Sequence, residues 1–157
     1  MSYRIEQLTE IITSSVGSLC EKQPMLFQKN DDINEKTVSS ALHNYFITHF
    51  PEHDVNCEYN RMTDEHGTQI PKRIHRNPFD EKPSRVYPDI IVHQQSNGEN
   101  NLLVIEIKMQ WKNGEKDDDY DKLIGYTTDL RYEFGLYLEL GEQGIVEMTW
   151  FQNGERL

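Results

Sequence analysis

The sequence predicts an α/β fold, in which a central mixed β-sheet is flanked by helices and preceded by one extra N-terminal helix. Apolar residues recur at steps of three and four, the period of an amphipathic helix, near residues 3–20, 33–46 and 120–127. Other segments alternate apolar and polar residues or are apolar throughout, as strands do, near residues 54–59, 86–93, 102–109, 134–140 and 145–152. The predicted order is therefore helix, helix, three strands, helix and two strands.

Two helices are expected first. The first buries an apolar stripe formed by Ile5, Leu8, Ile12, Val16 and Leu19. Asp31 or Asp32 is a capping residue that begins the second helix, and Phe50-Pro51 ends it. Glu35 then lies in the first turn of this second helix.

The two strands at 86–93 and 102–109 are expected to form a hairpin. Asn97-Gly98 lies between them, and this pair favours the positive φ angles of a tight turn. Residues 90–92 and 102–105 are apolar on both faces, which is typical of strands in the middle of a covered sheet. A charged residue inside such strands costs free energy and needs a reason.

A third helix is expected to begin at residues 117–119 and to run to about residue 130. Its inward-facing residues are predicted to be Tyr120, Leu123, Ile124 and Thr127. Residues 61–85, in contrast, show no periodicity and hold three prolines. They are expected to form a long surface connection.

Length and composition indicate one domain spanning residues 1–157. The chain is 36% hydrophobic, which is sufficient for one buried core. No apolar run is long enough for a membrane span, and the first twenty residues do not resemble a signal peptide. Cys20 and Cys57 lack any zinc-ligand spacing and read as free thiols. We therefore expect a soluble, cytoplasmic protein.

Charge is unevenly distributed along the chain. The formal net charge is −11, which argues against tight non-specific binding to nucleic acid over a broad surface. Residues 71–85 nevertheless hold five basic side chains against two acidic ones: Lys72, Arg73, Arg76, Lys82 and Arg85 against Asp80 and Glu81. We predict that this basic segment contacts phosphates locally.

Three ionisable residues lie where apolar strand residues would be less costly to bury: Asp89, Glu106 and Lys108. A regular hairpin centred between Asn97 and Gly98 places Asp89 directly across from Glu106, on the same face. Lys108 projects from that face as well, because strand side chains alternate with period two. Two carboxylates and one ammonium are thus expected to converge.

Paired carboxylates supply the oxygen ligands that Mg²⁺ or Mn²⁺ prefers. Such a metal lowers the pKa of bound water and neutralises charge on a phosphate, and a neighbouring lysine stabilises the transition state. At this point Pro88-Asp89, a hairpin and Glu106-Ile107-Lys108 resemble the PD-(D/E)XK motif of restriction-endonuclease-like nucleases.

The resemblance implies an αβββαβ core over about residues 31–140 and metal-dependent hydrolysis of phosphodiester bonds by an activated water, leaving 5′-phosphate products. It implies Asp89 and Glu106 as metal ligands and Lys108 as the catalytic lysine. In that family an acidic residue of the first core helix often completes the metal site, and Glu35 is the matching candidate. Lys122, on the helix after the motif, is the matching candidate for a phosphate contact. The expected substrate is DNA, with RNA as the second possibility.

Other interpretations of these residues stay open. Asp89, Glu106 and Lys108 also fit an ordinary salt-bridged strand end. Glu35 is favoured in a first helical turn by the helix dipole alone, and Lys122 can simply pair with Asp118 and Asp119 along its own helix.

The alternative function is a non-catalytic module of the same fold that binds nucleic acid or protein, since fold does not fix function. Such a module, or the nuclease itself, could act as a homodimer or within a larger defence or repair assembly. The acidic composition favours the module, and the complete carboxylate and lysine set favours the nuclease.

Overall fold

The computed structural model of the protein describes residues 2–29, 35–59, 61–63, 66, 68–75, 84–95, 99–112 and 116–157. Within them the helices are α1 (Ile5–Lys22), a short 3₁₀ helix (Pro24–Phe27), α2 (Glu35–His49) and α3 (Lys116–Thr128). No helix in this part of the chain has both the length and the apolar character needed to cross a bilayer. The proposed caps Asp31 and Asp32 lie outside the described residues, as does the Asn97-Gly98 turn.

The strands are β1 (Asp54–Cys57), β2 (Arg61–Thr63), β3 (Gln69–Pro71), β4 (Arg73–Ile74), β5 (Ser84–Arg85), β6 (Ile90–His93), β7 (Leu103–Met109), β8 (Phe134–Gly141), β9 (Gly144–Gln152) and β10 (Glu155–Arg156). A six-stranded sheet has the order β1-β6-β7-β8-β9-β10. Only β7 and β8 pair in parallel within it, and α3 connects these two strands. The fold is thus α/β, with a mixed, mostly antiparallel sheet flanked by helices.

Residues 61–85 were expected to be an irregular connection, and that prediction is wrong in part. The segment contains two short ribbons, β2 paired with β3 and β4 paired with β5, both antiparallel. Their signal was missed because each strand is only two or three residues long. A period-two pattern is present in Ile70, Lys72 and Ile74, but Lys72 fills an inward position that an apolar residue normally takes.

Hydrophobic cores lie on both faces of the six-stranded sheet. On one face α2 packs against β7 and α1 packs against β9, and the core between them includes Leu8, Phe46 and Ile105. On the other face α3 packs through Leu123 and Tyr126 against strand residues that include Val104, Tyr137 and Phe151. Strand β7 supplies Leu103, Ile105, Ile107 and Met109 to the first core. By alternation, the next two side chains after Val104 on the α3 face are Glu106 and Lys108.

The inward stripe of α3 differs from the prediction at one residue. Ile124 is 37% exposed, whereas Tyr126 is fully buried. The buried stripe contains Asp119, Leu123 and Tyr126, at steps of four and three residues. Because Asp119 is polar, a pattern based on apolar residues alone does not identify this side of α3 as the buried one.

Candidate active site

Asp89 and Glu106 face each other at the point where β6 begins. The ladder between β6 and β7 pairs Ile90 with Ile105 and Ile91 with Val104, so one further step places Asp89 opposite Glu106. The two carboxyl groups are within hydrogen-bonding reach of each other. The predicted opposition of these two residues is confirmed, and with it the predicted register of β6 and β7.

The end of β7 extends beyond β6 and is capped there by carboxylates. The Ile107 amide donates to Asp89 Oδ2 at 2.7 Å, and the Met109 amide donates to Glu35 Oε1 at 3.3 Å. These amides lack a strand partner because β6 pairs with β7 only as far as Ile105. Glu35 therefore approaches the same strand edge as Asp89, from the first turn of α2.

Burial dominates the electrostatics of the carboxylate pair. It raises the pKa of Asp89 to about 6, although hydrogen bonds from the Ile107 amide and the Glu106 carboxyl lower that pKa. Burial also raises the pKa of Glu106 well above its usual range, and the negative charge of Asp89 raises it further. Each carboxyl of the pair therefore holds its proton more tightly than an isolated carboxyl does.

Lys108 lies on the same sheet face, as predicted, and contacts α3. Its Nζ is 3.1 Å from Asp119 Oδ2, while Glu106 accepts a hydrogen bond of 2.7 Å from the Tyr126 hydroxyl on the same helix. Both side chains of β7 are thus oriented by partners on α3. Asp119 is 7% exposed, so its contact with Lys108 is largely shielded from solvent.

Lys122 also belongs to this cluster. Its Nζ is 3.6 Å from Asp119 Oδ1, which is the i,i+3 pairing that the sequence suggested. Its positive charge also lowers the pKa of both Asp89 and Glu106. Lys122 is therefore more than a surface helix residue, since its charge reaches the carboxylate pair.

Two participants were missed by sequence reasoning, Asp119 and Tyr126. Asp119 was expected only at the start of α3 and as a helix partner of Lys122, yet it contacts both Lys108 and Lys122. Its spacing of four residues before Leu123 was the available signal, because it puts Asp119 on the buried stripe of α3. Tyr126 gave no separate signal, since an aromatic residue on an amphipathic helix is usually a packing group.

The carboxylate pair fits a divalent cation of the magnesium type. Among the described residues, no three His, Cys, Asp or Glu side chains are close enough to bind one metal ion together, so Glu35 does not form a three-ligand cluster with Asp89 and Glu106. Mg²⁺, however, commonly keeps several waters and uses one or two carboxylates together with substrate phosphate. Two buried carboxyls that repel each other match that requirement.

The predicted phosphate contacts are only partly on the surface. Lys72 is 1% exposed, and its Nζ donates to the Tyr59 carbonyl at 3.1 Å and lies 4.6 Å from the Tyr59 ring centroid. Burial lowers the pKa of Lys72 to about 7. The prediction that Lys72 binds a phosphate is therefore wrong, because strand alternation turns its side chain inward while Arg73 points outward.

Arg73 and Arg85 are exposed, as the phosphate-contact hypothesis requires. They are direct cross-strand partners in the ribbon formed by β4 and β5. Arg76 and Lys82 lie outside the described residues.

Comparisons with models of known families, with curated proteins and with solved structures find no match for this chain.

Proposed function

We propose that this protein is a metal-dependent nuclease with a restriction-endonuclease-like core that hydrolyses phosphodiester bonds of DNA or RNA. The observation that carries the proposal is the Asp89–Glu106 pair, two carboxyls that face each other from adjacent strands with too little positive charge around them. Buried groups with strongly shifted pKa values are typical of functional sites. The succession α2, β1, β6, β7, α3, β8 supports the resemblance to the αβββαβ core.

Asp89 and Glu106 would hold Mg²⁺ or Mn²⁺, with Glu35 at the neighbouring strand edge. When bound, this metal supplies a Lewis acid that offsets phosphate charge and makes water a better nucleophile. In the hydrolysis, the oxygen of one water bonds to phosphorus, the bond from phosphorus to one bridging oxygen breaks, and that oxygen takes up a proton. Lys108 provides a hydrogen-bond donor for the charge that develops on the phosphate oxygens.

The neighbours of Lys108 support this role. Its ion pair with Asp119 limits the rotamers of the Lys108 side chain. Lys122 contacts the other oxygen of Asp119, so one buried side chain orients both cations. A buried partner such as Asp119 provides the support that an accurately oriented catalytic group needs.

The test is the Lys108→Met variant, assayed with plasmid, single-stranded DNA and RNA in the presence of Mg²⁺, Mn²⁺ or EDTA. Asp119 keeps Lys122 as a partner in this variant, so the protein should stay folded. Cleavage should fall by at least about a hundredfold, the usual scale for removing one group that stabilises a transition state. The control is Lys22→Met, at the far end of α1, which should cut like wild type.

A folded Lys108→Met protein that cuts as fast as wild type would refute this mechanism. The second candidate function is a non-catalytic binding module, and one observation favours it: the Lys108 ammonium is already paired with Asp119. If wild type binds nucleic acid but cuts none of these substrates with either metal, this second function replaces the first.

A further inference from the structure

An arginine pair lies on the outer face of the short ribbon formed by β4 and β5. Arg73 and Arg85 are opposed residues of that ribbon, so their side chains emerge on the same face, and both are exposed. Within the described part of the chain, neither guanidinium has an ion-pair partner. Like charges directly opposite each other destabilise a strand pair, so this arrangement gains stability when an anion binds.

The ribbon is fixed against α3 rather than hanging free. Ile74 packs so closely on Gly125 that a Cβ there would lie 2.9 Å from the Ile74 side chain. The His75 amide donates to Asp129 Oδ2 at 2.8 Å, near the end of the same helix. The Val86 amide donates to the Lys72 carbonyl at 3.3 Å and extends the ribbon by one pair. The backbone that carries both arginines is thus held in place.

The same ribbon is tied closely to the candidate active site. Arg85 is four residues before Asp89, which limits their Cα separation to about 14 Å even in a fully extended chain. On α3, Gly125 beneath the ribbon is next to Tyr126, whose hydroxyl donates to Glu106. A chain of phosphates that crosses the carboxylate pair can therefore reach the arginine pair within a few nucleotides.

Tyr87 adds an aromatic surface between the arginines and the carboxylates. Its side chain is 57% exposed, while Val86 and Pro88 on either side of it are buried. It lies two residues after Arg85 and two before Asp89. An exposed tyrosine beside two phosphate-binding cations is the combination that binds single-stranded nucleic acid, because an unpaired base can stack on the ring.

We propose that Arg73, Arg85 and Tyr87 form a track for single-stranded nucleic acid that leads to Asp89 and Glu106. The assignment rests on the proposed nuclease function for where the track leads, and it adds the substrate class. The net negative charge of the chain favours binding of a single strand over a duplex. Double-stranded DNA carries one negative charge per about 1.7 Å of its axis, twice the density of one strand, and this chain has a net charge of −11. A narrow strand that touches only the track avoids most of that repulsion.

The experiment measures the fluorescence anisotropy of a labelled oligothymidine of twelve nucleotides as protein is added. The same strand paired to its complement is measured in parallel, and EDTA is present so that neither is cut. Wild type should bind the single strand at least about tenfold more tightly. The double variant Arg73→Ala/Arg85→Ala should lose binding and flatten the salt dependence by about 1.4 in logarithmic slope, for two phosphate contacts at about 0.7 each. Lys22→Ala/Lys36→Ala removes the same charge from α1 and α2 and should leave the slope unchanged.

Substitution of Tyr87 gives a second, independent test of the track. Tyr87→Ala should weaken single-strand binding at least about fivefold, the lower end of the loss expected for one stacked base, whereas Tyr87→Phe keeps the ring and should bind like wild type. Thermal unfolding by circular dichroism checks that each variant is folded. Equal or tighter binding of the duplex, or an arginine variant with an unchanged salt slope, overturns the track.

Binding in EDTA separates this proposal from the nuclease. If the variants lose binding but wild type never cuts, the track stands and the nuclease fails. If wild type cuts and the arginine variant binds and cuts equally well, the nuclease stands and the track fails.

Discussion

Two glutamates on the α3 face of the sheet have opposite environments. Glu106 on β7 and Glu147 on β9 each accept a hydrogen bond from a tyrosine of α3, Tyr126 at 2.7 Å and Tyr120 at 2.6 Å. Glu147 also accepts hydrogen bonds from Lys116 and Thr149. Burial alone would raise the pKa of Glu147, but these hydrogen bonds lower it to about 2.

Among the residues that the structure describes, Glu106 has no comparable set of donors. It is fully buried against Asp89, and its pKa is raised well above the usual range. Helix α3 thus stabilises the negative charge of Glu147 with two donors, whereas it offers fewer donors to Glu106. The difference teaches that hydrogen bonds stabilise the charged form of Glu147, whereas burial and the charge of Asp89 disfavour the charged form of Glu106.

The largest expected effect is on cleavage. Glu106→Gln keeps the shape of the side chain but removes a metal-binding oxygen, so initial rates with Mg²⁺ should fall by at least about a hundredfold. Glu147→Gln is the matched change on the same face of the sheet and should keep the wild-type rate per folded molecule. Equal losses in the two variants would show that the comparison has no functional meaning.

The second effect, on stability, should run in the opposite direction. Glu147→Gln weakens charge-assisted hydrogen bonds at a site whose side chain is 28% exposed, and should cost about 1–2 kcal/mol in urea unfolding at pH 7. Glu106→Gln relieves repulsion in the metal-free protein and should leave stability equal or higher by up to about 1 kcal/mol. A loss of stability at Glu106 larger than at Glu147 contradicts this prediction.

The register and the missed partners show what could be predicted from sequence. The opposition of Asp89 and Glu106 was predictable because the register of two strands adjacent in the sequence is a local property of the chain. Asp119 was not, because its contact with Lys108 depends on how α3 packs across the sheet. Polar residues in such packing positions give no apolar pattern, and the same reason hid the inward orientation of Lys72.

The overall architecture was predictable for a related reason. Long apolar segments such as those of β7 and α1 specify their own period, and their predicted bounds lie within two residues of those observed. The two-residue strands around Arg73 and Arg85 are too short to show any period. They depend on anchors such as the packing of Ile74 on Gly125, which only the folded chain reveals.

The third effect is a metal-dependent shift in thermal unfolding, and its pH dependence has a definite sign. In the folded protein the pKa of Asp89 is raised to about 6 and that of Glu106 is raised well above its unfolded value, so the metal-free site contributes stability at low pH that is lost as pH rises through these folded pKa values. Mg²⁺ at about ten times its dissociation constant should therefore raise the thermal unfolding midpoint by about 2–5 °C at pH 7.5. The rise should be smaller at pH 5.5.

Glu147 is the opposite case, because its lowered pKa contributes stability above about pH 4.5 that is lost only as pH falls toward 2. Glu147→Gln should therefore keep the Mg²⁺ shift at both pH values. The paired Asp89→Asn and Glu106→Gln changes should abolish it. A shift that survives these changes means that the metal binds elsewhere.

The smallest effects compare the two tyrosines directly. Tyr120→Phe and Tyr126→Phe each remove one hydroxyl donor and should each cost about 1 kcal/mol or less. Only Tyr126→Phe should move the pH at which the Mg²⁺ shift appears, and it should move it upward, because the Tyr126 hydrogen bond lowers the pKa of Glu106. Identical pH profiles for the two variants would remove the distinction between the two glutamates.

The exposed end of β7 has one more consequence, for spectroscopy. The amide protons of Ile107 and Met109 are bonded to the carboxylates of Asp89 and Glu35 instead of to a neighbouring strand. Their resonance frequencies and their hydrogen-exchange rates are therefore expected to follow the charge on those carboxylates. An amide spectrum recorded at increasing Mg²⁺ or pH would thus follow the site residue by residue, with no substrate, label or cleavage required.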